Sequence, residues 1–325
     1  MQKTNFLMPN QRLSFFQPRD LGEVIYFTFK FIGKNFVSFF LIIFLSHLPI
    51  ALLIYWFVQS FFPIGFLSYF LSLLGISVVE FFIVAFIIGF IVLLVYAYSV
   101  GISLNYCLLY ENNHSQPPKI FAVVQATFQN YYRIFVTYAV YNLFFFGIYV
   151  LDTFLQVLVM RMGLFMYIIW SLLFFVLTIF IDNKLCLMGA VTLKEELSGI
   201  QALKKSWELV RGYWWQTFGI RIVIGIATFL IFYFLTIILG LFLKENIWDM
   251  VYESWGGLGR GSTIQTMLLF FSLGLFLSYL IFSMLMGTAL FAQYGNLTEQ
   301  KYGTVSLSEK ASKIGTQNQE ETEDL

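Results

Sequence analysis

Two ionisable residues lie inside apolar stretches, where a membrane-spanning helix would place them in hydrocarbon. His47 is about eleven residues into the first apolar span, close to Pro49, and Glu80 lies in the outer third of the second. An ionisable group in hydrocarbon must face the protein interior, form a pair or become neutral. The pair could serve as a proton relay between neighbouring spans. The alternative is a neutral histidine and a protonated or hydrogen-bonded glutamate that hold helices together.

A second set of residues combines positive charge with tryptophan. Residues 199–216 predict an amphipathic helix in which Lys204, Lys205 and Arg211 lie mostly opposite a stripe that contains Trp207 and Trp214. Cationic side chains at a membrane surface attract anionic lipid headgroups by roughly 1 kcal/mol per charge. We therefore expect these five residues to bind lipid headgroups. The alternative is that the charges only set the orientation of the chain in the membrane.

No constellation for catalysis or metal binding is recognisable. Nucleophilic catalysis needs a serine or cysteine beside a positioned histidine and a carboxylate. The chain has only two histidines, His47 and His114, and His114 lies in a polar loop. The two cysteines, Cys107 and Cys186, are far apart and form no Cys-x-x-Cys pattern. The sequence therefore predicts a protein that is not an enzyme and that has no metal site and no cofactor.

Composition defines the solvent in which these residues act. Of 325 residues, 59% are hydrophobic and 11% are charged, with a mean hydropathy of +0.79. A water-soluble core cannot use that much apolar surface, so the chain is expected to be an integral membrane protein. A net charge of +1 argues against nucleic acid as a partner.

Apolar runs of about 20 residues, the length that crosses about 30 Å of hydrocarbon, predict six transmembrane helices. They lie at about 36–58, 76–98, 135–157, 164–181, 218–243 and 266–290. Residues 66–75 are apolar as well and are expected to lie at the outer interface or to dip into the membrane. The predicted membrane domain covers residues 21–303. It follows a loosely held cytoplasmic arm at 1–20 and precedes a polar, largely disordered tail at 304–325.

An apolar stripe precedes each odd-numbered span. Its members are spaced four, three and four residues apart, and the three copies are offset by 99 and then 79 residues: Ile25, Phe29, Ile32 and Phe36; Val124, Phe128, Tyr131 and Phe135; Leu203, Trp207, Val210 and Trp214. The pattern predicts an all-α fold of three parallel repeats, each an interfacial amphipathic helix followed by a helical hairpin. The repeats cover about 21–110, 120–195 and 199–296. The alternative is that a chain this apolar produces such stripes by chance.

The distribution of lysine and arginine predicts the orientation. With the N-terminus inside, the inner segments carry 15 of these residues and the outer turns carry three. Cytoplasmic loops carry the excess of positive charge, so both termini are expected in the cytoplasm.

Residues 202–212, Ala-Leu-Lys-Lys-Ser-Trp-Glu-Leu-Val-Arg-Gly, also resemble a known signature. It belongs to bacterial proteins similar to the membrane domain of glycerophosphodiester phosphodiesterases and to related families without assigned biochemistry. The segments Leu21-Gly-Glu-Val and Tyr294-Gly-Asn are similar to the ends of that group. The resemblance implies a six-helix protein of the bacterial inner membrane. It does not imply phosphodiesterase activity, because the catalytic domain of those enzymes is a separate soluble barrel without a counterpart in this sequence.

Two functions follow as expectations. The first is a non-enzymatic scaffold or accessory protein of the inner membrane, whose partners are membrane lipids or other membrane proteins. The alternative is a proton-coupled transporter, or a transporter of small solutes or lipids, that uses His47 and Glu80.

Overall fold

The computed structural model describes residues 13–61, 78–113, 115–255 and 260–303. The side chains of residues 54–61, 78–88, 239–255 and 260–272 lie outside the described part. Within these ranges the chain is all-helical, without a strand. The eight helices of the described part are α1 (Leu21–Phe61), α2 (Val78–Asn112), α3 (Ile120–Met160), α4 (Leu164–Leu185), α5 (Met188–Lys194), α6 (Ile200–Val210), α7 (Trp214–Trp255) and α8 (Arg260–Tyr302).

Six of the described helical segments are long and apolar enough to cross a membrane. They are Leu21–Leu53, Gly89–Asn112, Ile120–Met160, Leu164–Lys194, Trp214–Ile238 and Leu273–Tyr302. Each overlaps one predicted span, so the expectation of six apolar helices long enough to cross a membrane is confirmed for the described chain. The prediction for residues 66–75 and that for the tail at 304–325 fall outside the described residues.

The first two amphipathic stretches differ from the prediction of separate interfacial helices. Residues 21–35 and 120–133 continue without a break into the spans that follow, as parts of α1 and α3, which have 41 residues each. At 1.5 Å per residue such a helix is about 60 Å long, twice the thickness of the hydrocarbon. Only the third stretch forms its own helix, α6. It ends because Gly212 follows it with a φ of +92°, the left-handed conformation that terminates helices.

The buried faces of these stretches lie one residue before the predicted stripes. Phe29 and Phe128 of the stripes are 40% and 65% exposed, whereas Thr28 and Thr127 are fully buried. The shift is the same in α6, where Ser206 is fully buried and Trp207 is 39% exposed. In a membrane the lipid is as apolar as the core, so small and hydroxyl-bearing residues face other helices and large apolar residues face outward.

One end of the bundle is closed by short elements. We use the term cap end for the end formed by residues 13–20, α5, α6 and the last turns of α8. In α5, residues 188–193 are all buried. A Cβ on Gly189 would lie 2.8 Å from Leu104 and 2.9 Å from the Tyr138 hydroxyl, so α5 packs tightly against α2 and α3.

Residues 13–20 are docked on the cap end, which corrects the expectation of a loosely held arm over that range. The Phe15 ring is fully buried and packs edge-on against Phe27, Phe31 and Phe291. The Phe15 amide and the Ser14 hydroxyl both donate hydrogen bonds to Glu111 (2.9 and 2.7 Å). Aromatic burial and charge-assisted hydrogen bonds hold this segment in place.

Candidate functional site: a basic cluster at the cap end

Helix α6 carries the signature segment and is fastened to the bundle by its serine. The Ser206 hydroxyl donates to the carbonyl of Lys184 (3.0 Å) and accepts from the amide of Leu187 (3.2 Å). Those two backbone groups lie where the chain passes from α4 to α5 and would otherwise lack partners at the ends of these helices. The serine of the signature therefore has a structural role.

Three aromatic rings of α4, α6 and α7 form one surface beside this joint. The Phe180 ring stacks on Trp214 with centroids 5.6 Å apart and meets Trp207 edge-on at 6.2 Å. The Trp214 indole also donates to the carbonyl of Phe180 (3.2 Å). We call Phe180, Trp207 and Trp214 the aromatic platform. Tryptophan at the edge of a spanning bundle is typical of the membrane interface.

Lys184 is a buried cation on this platform. Its ammonium nitrogen lies 5.7 Å from both the Phe180 and Trp207 rings, and the residue is only 7% exposed. No carboxylate of the described residues lies within 4.0 Å of it; the ion pairs there are Arg133–Glu196, Lys205–Glu195 and Arg221–Asp182. The side chain is covered, but its ammonium nitrogen is not one of the buried polar atoms without a partner, so the charge at its tip stays open to an anionic group.

Two further cations lie near Lys184, at the C-terminal end of α6. The Lys301 ammonium donates to the carbonyls of Glu208 (2.6 Å) and Arg211 (3.0 Å), which lie at the C-terminal end of α6. The charges of Lys184 and Arg211 both act on Lys301, as does that of Lys205. We call Lys184, Arg211 and Lys301 the basic cluster. An anionic group at this place would neutralise part of the shared positive charge.

The remaining predicted headgroup residues are placed differently. Lys205 forms an ion pair with Glu195 (3.6 Å) and donates a hydrogen bond to the Tyr302 hydroxyl (3.3 Å). Burial alone would lower the pKa of Lys205, but this hydrogen bond and the charge of Glu195 raise it above its ordinary value. Lys204 is exposed on α6. The structure thus brings Arg211, Trp207 and Trp214 together, while Lys205 is already occupied by contacts within the chain.

His47 is buried among aromatic rings. It is 2% exposed, and the Tyr98 and Tyr279 rings lie 5.6 and 6.3 Å from its own. Its Nδ1 lies 2.8 Å from the carbonyl of Ile43, which can only accept, so Nδ1 carries the proton. Nε2 is buried without a hydrogen-bond partner among the described residues. The side chain of Glu80 lies outside the described part, so the expected contact between the two residues stays a prediction.

Sequence reasoning missed the roles of Lys184 and Lys301. In the sequence Lys184 follows one apolar span and Lys301 follows another, and no pattern connects two residues that are more than one hundred positions apart. It also missed Arg221, which forms an ion pair with Asp182 (2.6 Å) between α4 and α7. A charge seven residues into an apolar helix is a signal that could have identified Arg221.

The described residues contain no group of three or more histidine, cysteine, aspartate or glutamate side chains that could hold a metal ion. Comparison with known proteins finds no matching family model, no matching curated protein and no matching solved structure. The similarity of residues 202–212 to the phosphodiesterase membrane-domain signature therefore stays a prediction.

Proposed function

We propose that this chain is a non-enzymatic, multi-pass scaffold or accessory protein of the bacterial inner membrane that binds anionic lipid at the basic cluster. The observation that carries the proposal is Lys184, a cation that is 7% exposed and has no carboxylate partner among the described residues. An anionic headgroup would supply the missing counter-charge, with the aromatic platform at the level of the headgroups.

The magnitude of this attraction favours a stable lipid contact. Near a membrane surface each cation contributes roughly 1 kcal/mol, so three converging cations contribute about 3 kcal/mol. Burial of Lys184 strengthens the attraction because fewer waters screen it. The charge of Glu208 also acts on Lys301 and offsets part of this attraction.

Orientation of the chain supports the same function. Lysine and arginine are in excess at the helix ends that lie on the same side of the membrane as the N-terminus. This excess favours a cytoplasmic position for the cap end and for both termini. Anionic lipids give the cytoplasmic leaflet a negative surface potential. A basic cluster at the cap end would therefore face the leaflet that best supplies its ligand.

Three parallel repeats are part of the proposal. Thr28, Thr127 and Ser206, which are offset by 99 and then 79 residues like the stripes, are all fully buried. The hydroxyls of Thr28 and Thr127 each donate to the carbonyl four residues earlier, Val24 and Val123 (both 2.8 Å). A buried hydroxyl group thus occurs at the same position in all three copies. This supports the repeat independently, because the repeat was inferred from the apolar stripes, which do not include these residues.

The experiment is a comparison of lipid retained by purified variants. We expect Lys184→Gln, Arg211→Gln and Lys301→Gln together to reduce the anionic lipid that co-purifies from bacterial membranes, measured by native mass spectrometry. The matched control changes Lys30, Lys34 and Lys119 to glutamine, which removes the same charge from α1 and from the start of α3. Equal lipid content in both triple variants would contradict the proposal. Thermal stabilisation by inorganic phosphate as strong as that by phosphatidylglycerol would assign the site to a soluble anion instead.

Proton-coupled or solute transport is the second candidate, favoured by the buried and unpartnered Nε2 of His47. An imidazole in this state can accept a proton from a transported species or from Glu80. Reconstituted protein would then show pH-dependent flux in liposomes that Glu80→Gln and His47→Gln each abolish at unchanged protein yield. Absence of flux in the wild-type protein would leave the scaffold function.

A further inference from the structure

A cavity lies inside the bundle, away from the basic cluster. It is partly enclosed, has a volume of about 60 Å³ and is bounded by α2, α3, α5 and α8. Ser99, Ser103 and Tyr96 of α2 line it, together with Tyr138 of α3 and with Tyr279 and Ser283 of α8. Six hydroxyl-bearing residues around one cavity in a bundle of apolar spans are unusual, because polar groups in hydrocarbon must find partners.

The three serines have more acceptor capacity than they can use among themselves. Ser283 lies 3.1 Å from Ser99 and 2.7 Å from Ser103, and Ser103 also donates to the carbonyl of Ser99 (3.2 Å). Each hydroxyl has one proton and two lone pairs. These contacts use all three protons and only two of the six lone pairs on the hydroxyls. The cluster can therefore accept further hydrogen bonds from other donors.

Close helix packing holds the cluster together. A Cβ on Gly287 would lie 2.7 Å from the Ser103 Cβ, so glycine is needed for α8 to approach α2 at this level. Two small residues of α5, Gly189 and Ala190, line the side of the cavity toward the cap end. The cavity is thus kept open by small side chains rather than by loose packing.

An ion pair stands beside the cavity. Arg221 and Asp182 are joined at 2.6 Å, and Asp182 also accepts from the Tyr141 hydroxyl (2.6 Å). The charge of Asp182 acts on Tyr96 and Tyr138, both of which line the cavity. The side chains of Arg221 and Asp182 are 26% and 33% exposed, so the pair connects the cavity region with the surroundings of the bundle.

We propose that this cavity is an internal water-binding site, hydrated from the side of the Asp182–Arg221 pair. A water molecule needs roughly 10–15 Å³ and two to four polar partners, and the cavity exceeds the first requirement and offers the second. Cavities that stay empty in proteins are apolar, whereas six hydroxyl-bearing residues share the lining of this one with apolar side chains. Water supplies the donors that the serine lone pairs lack. The site is independent of lipid binding at the basic cluster.

Hydroxyl-radical footprinting tests the proposal on the intact protein in nanodiscs, because X-ray pulses generate radicals from bound water next to the side chains they modify. Tyr138 is the reporter: it is 5% exposed and lines the cavity. Tyr294 is the matched control, since it is 1% exposed, does not line the cavity and donates its hydroxyl proton to Glu195. We expect Tyr138 to be modified several-fold faster than Tyr294. Equal protection of the two tyrosines would overturn the proposal.

Filling the cavity is the second experiment. Ser283→Leu should lower the modification rate of Tyr138 to that of Tyr294, while Ser283→Ala should leave it high. Should the leucine at 283 prevent folding, Ala190→Leu fills the same space from α5 and carries the same expectation. An unchanged Tyr138 rate in a folded filling variant would show that the radicals reach Tyr138 by another route, and would also overturn the proposal.

Discussion

The environment of Lys184 in the fold differs from the one that its position in the sequence suggests. In the chain it ends an apolar span, as lysines that set topology commonly do. In the fold it is covered by Phe180 and Trp207 and shares its region with Arg211 and Lys301. Solvent stabilises the charge of a lysine at a helix end. A lysine that is covered by aromatic rings is less well solvated, so an anionic partner stabilises it more.

Gly295 is the glycine at which substitution should affect the cap end most directly. A Cβ at this position would collide with the carbonyl of Phe15, which is backbone and cannot rotate away. We expect Gly295→Ala to lower the thermal unfolding midpoint in detergent and to expose residues 13–20 to proteolysis. Gly225→Ala is the control, because no atom lies within 4 Å of its Cβ position. Equal midpoints for the two variants would contradict the close packing of the arm.

Ser206 permits a second test at the residue scale. Ser206→Ala would leave the buried Lys184 carbonyl and Leu187 amide without their partner, at a cost of roughly 1–3 kcal/mol. The measurement is the thermal midpoint, compared with Thr236→Ala, which removes an exposed hydroxyl bonded to the carbonyl four residues earlier. If the thermal midpoint fell no further in Ser206→Ala than in the control, the joint between α4 and α5 would not depend on the serine.

At the scale of elements, the continuity of α1 is the main departure from expectation. Nothing in residues 30–40 ends the helix: Gly33 has no positive φ, and α1 contains no proline before Pro49. In α6, Gly212 in the left-handed conformation separates the amphipathic helix from the span. Amphipathic periodicity alone does not locate the end of a helix.

Spin labels on α1 can distinguish one continuous helix from an in-plane helix followed by a separate span. Labels at the exposed positions 26 and 45 are separated by about 28 Å along one continuous helix at 1.5 Å per residue. If an in-plane helix met the span at a right angle near residue 35, we would expect about 20 Å by the same rise per residue. Labels at 37 and 52, within the span, should give the same distance in either case and serve as the reference.

At the scale of the whole molecule, the six apolar helices and the charge asymmetry predict one topology. Single cysteines at positions 115, 198 and 305 are expected to react with impermeant reagents from the cytoplasmic side, and one at 252 from the outside. The basis is the 15-to-three excess of lysine and arginine in the inner segments. Labelling of position 198 from outside would place the basic cluster in the other leaflet and refute the orientation.

The number and approximate position of the spanning helices followed from the sequence, because about 20 apolar residues are needed to cross hydrocarbon whatever the helix packs against. The three stripes were also visible, and their common offset agrees with the buried hydroxyls of Thr28, Thr127 and Ser206. The same physical chemistry predicted the polar break at residues 111–119 as a boundary between helices, whereas the break at residues 211–213 falls inside the helix predicted over residues 199–216.

Only the tertiary structure decided which face of each helix is buried. Lipid and protein interior are both apolar, so hydrophobic periodicity does not distinguish Phe29, which faces outward, from Phe31, which is fully buried. The same holds for charges: Lys184, Arg211 and Lys301 belong to three distant parts of the chain and meet only because α6 packs between α4 and the end of α8. The sequence specifies which segments are apolar and long enough to span a membrane. Packing specifies where the polar groups find partners.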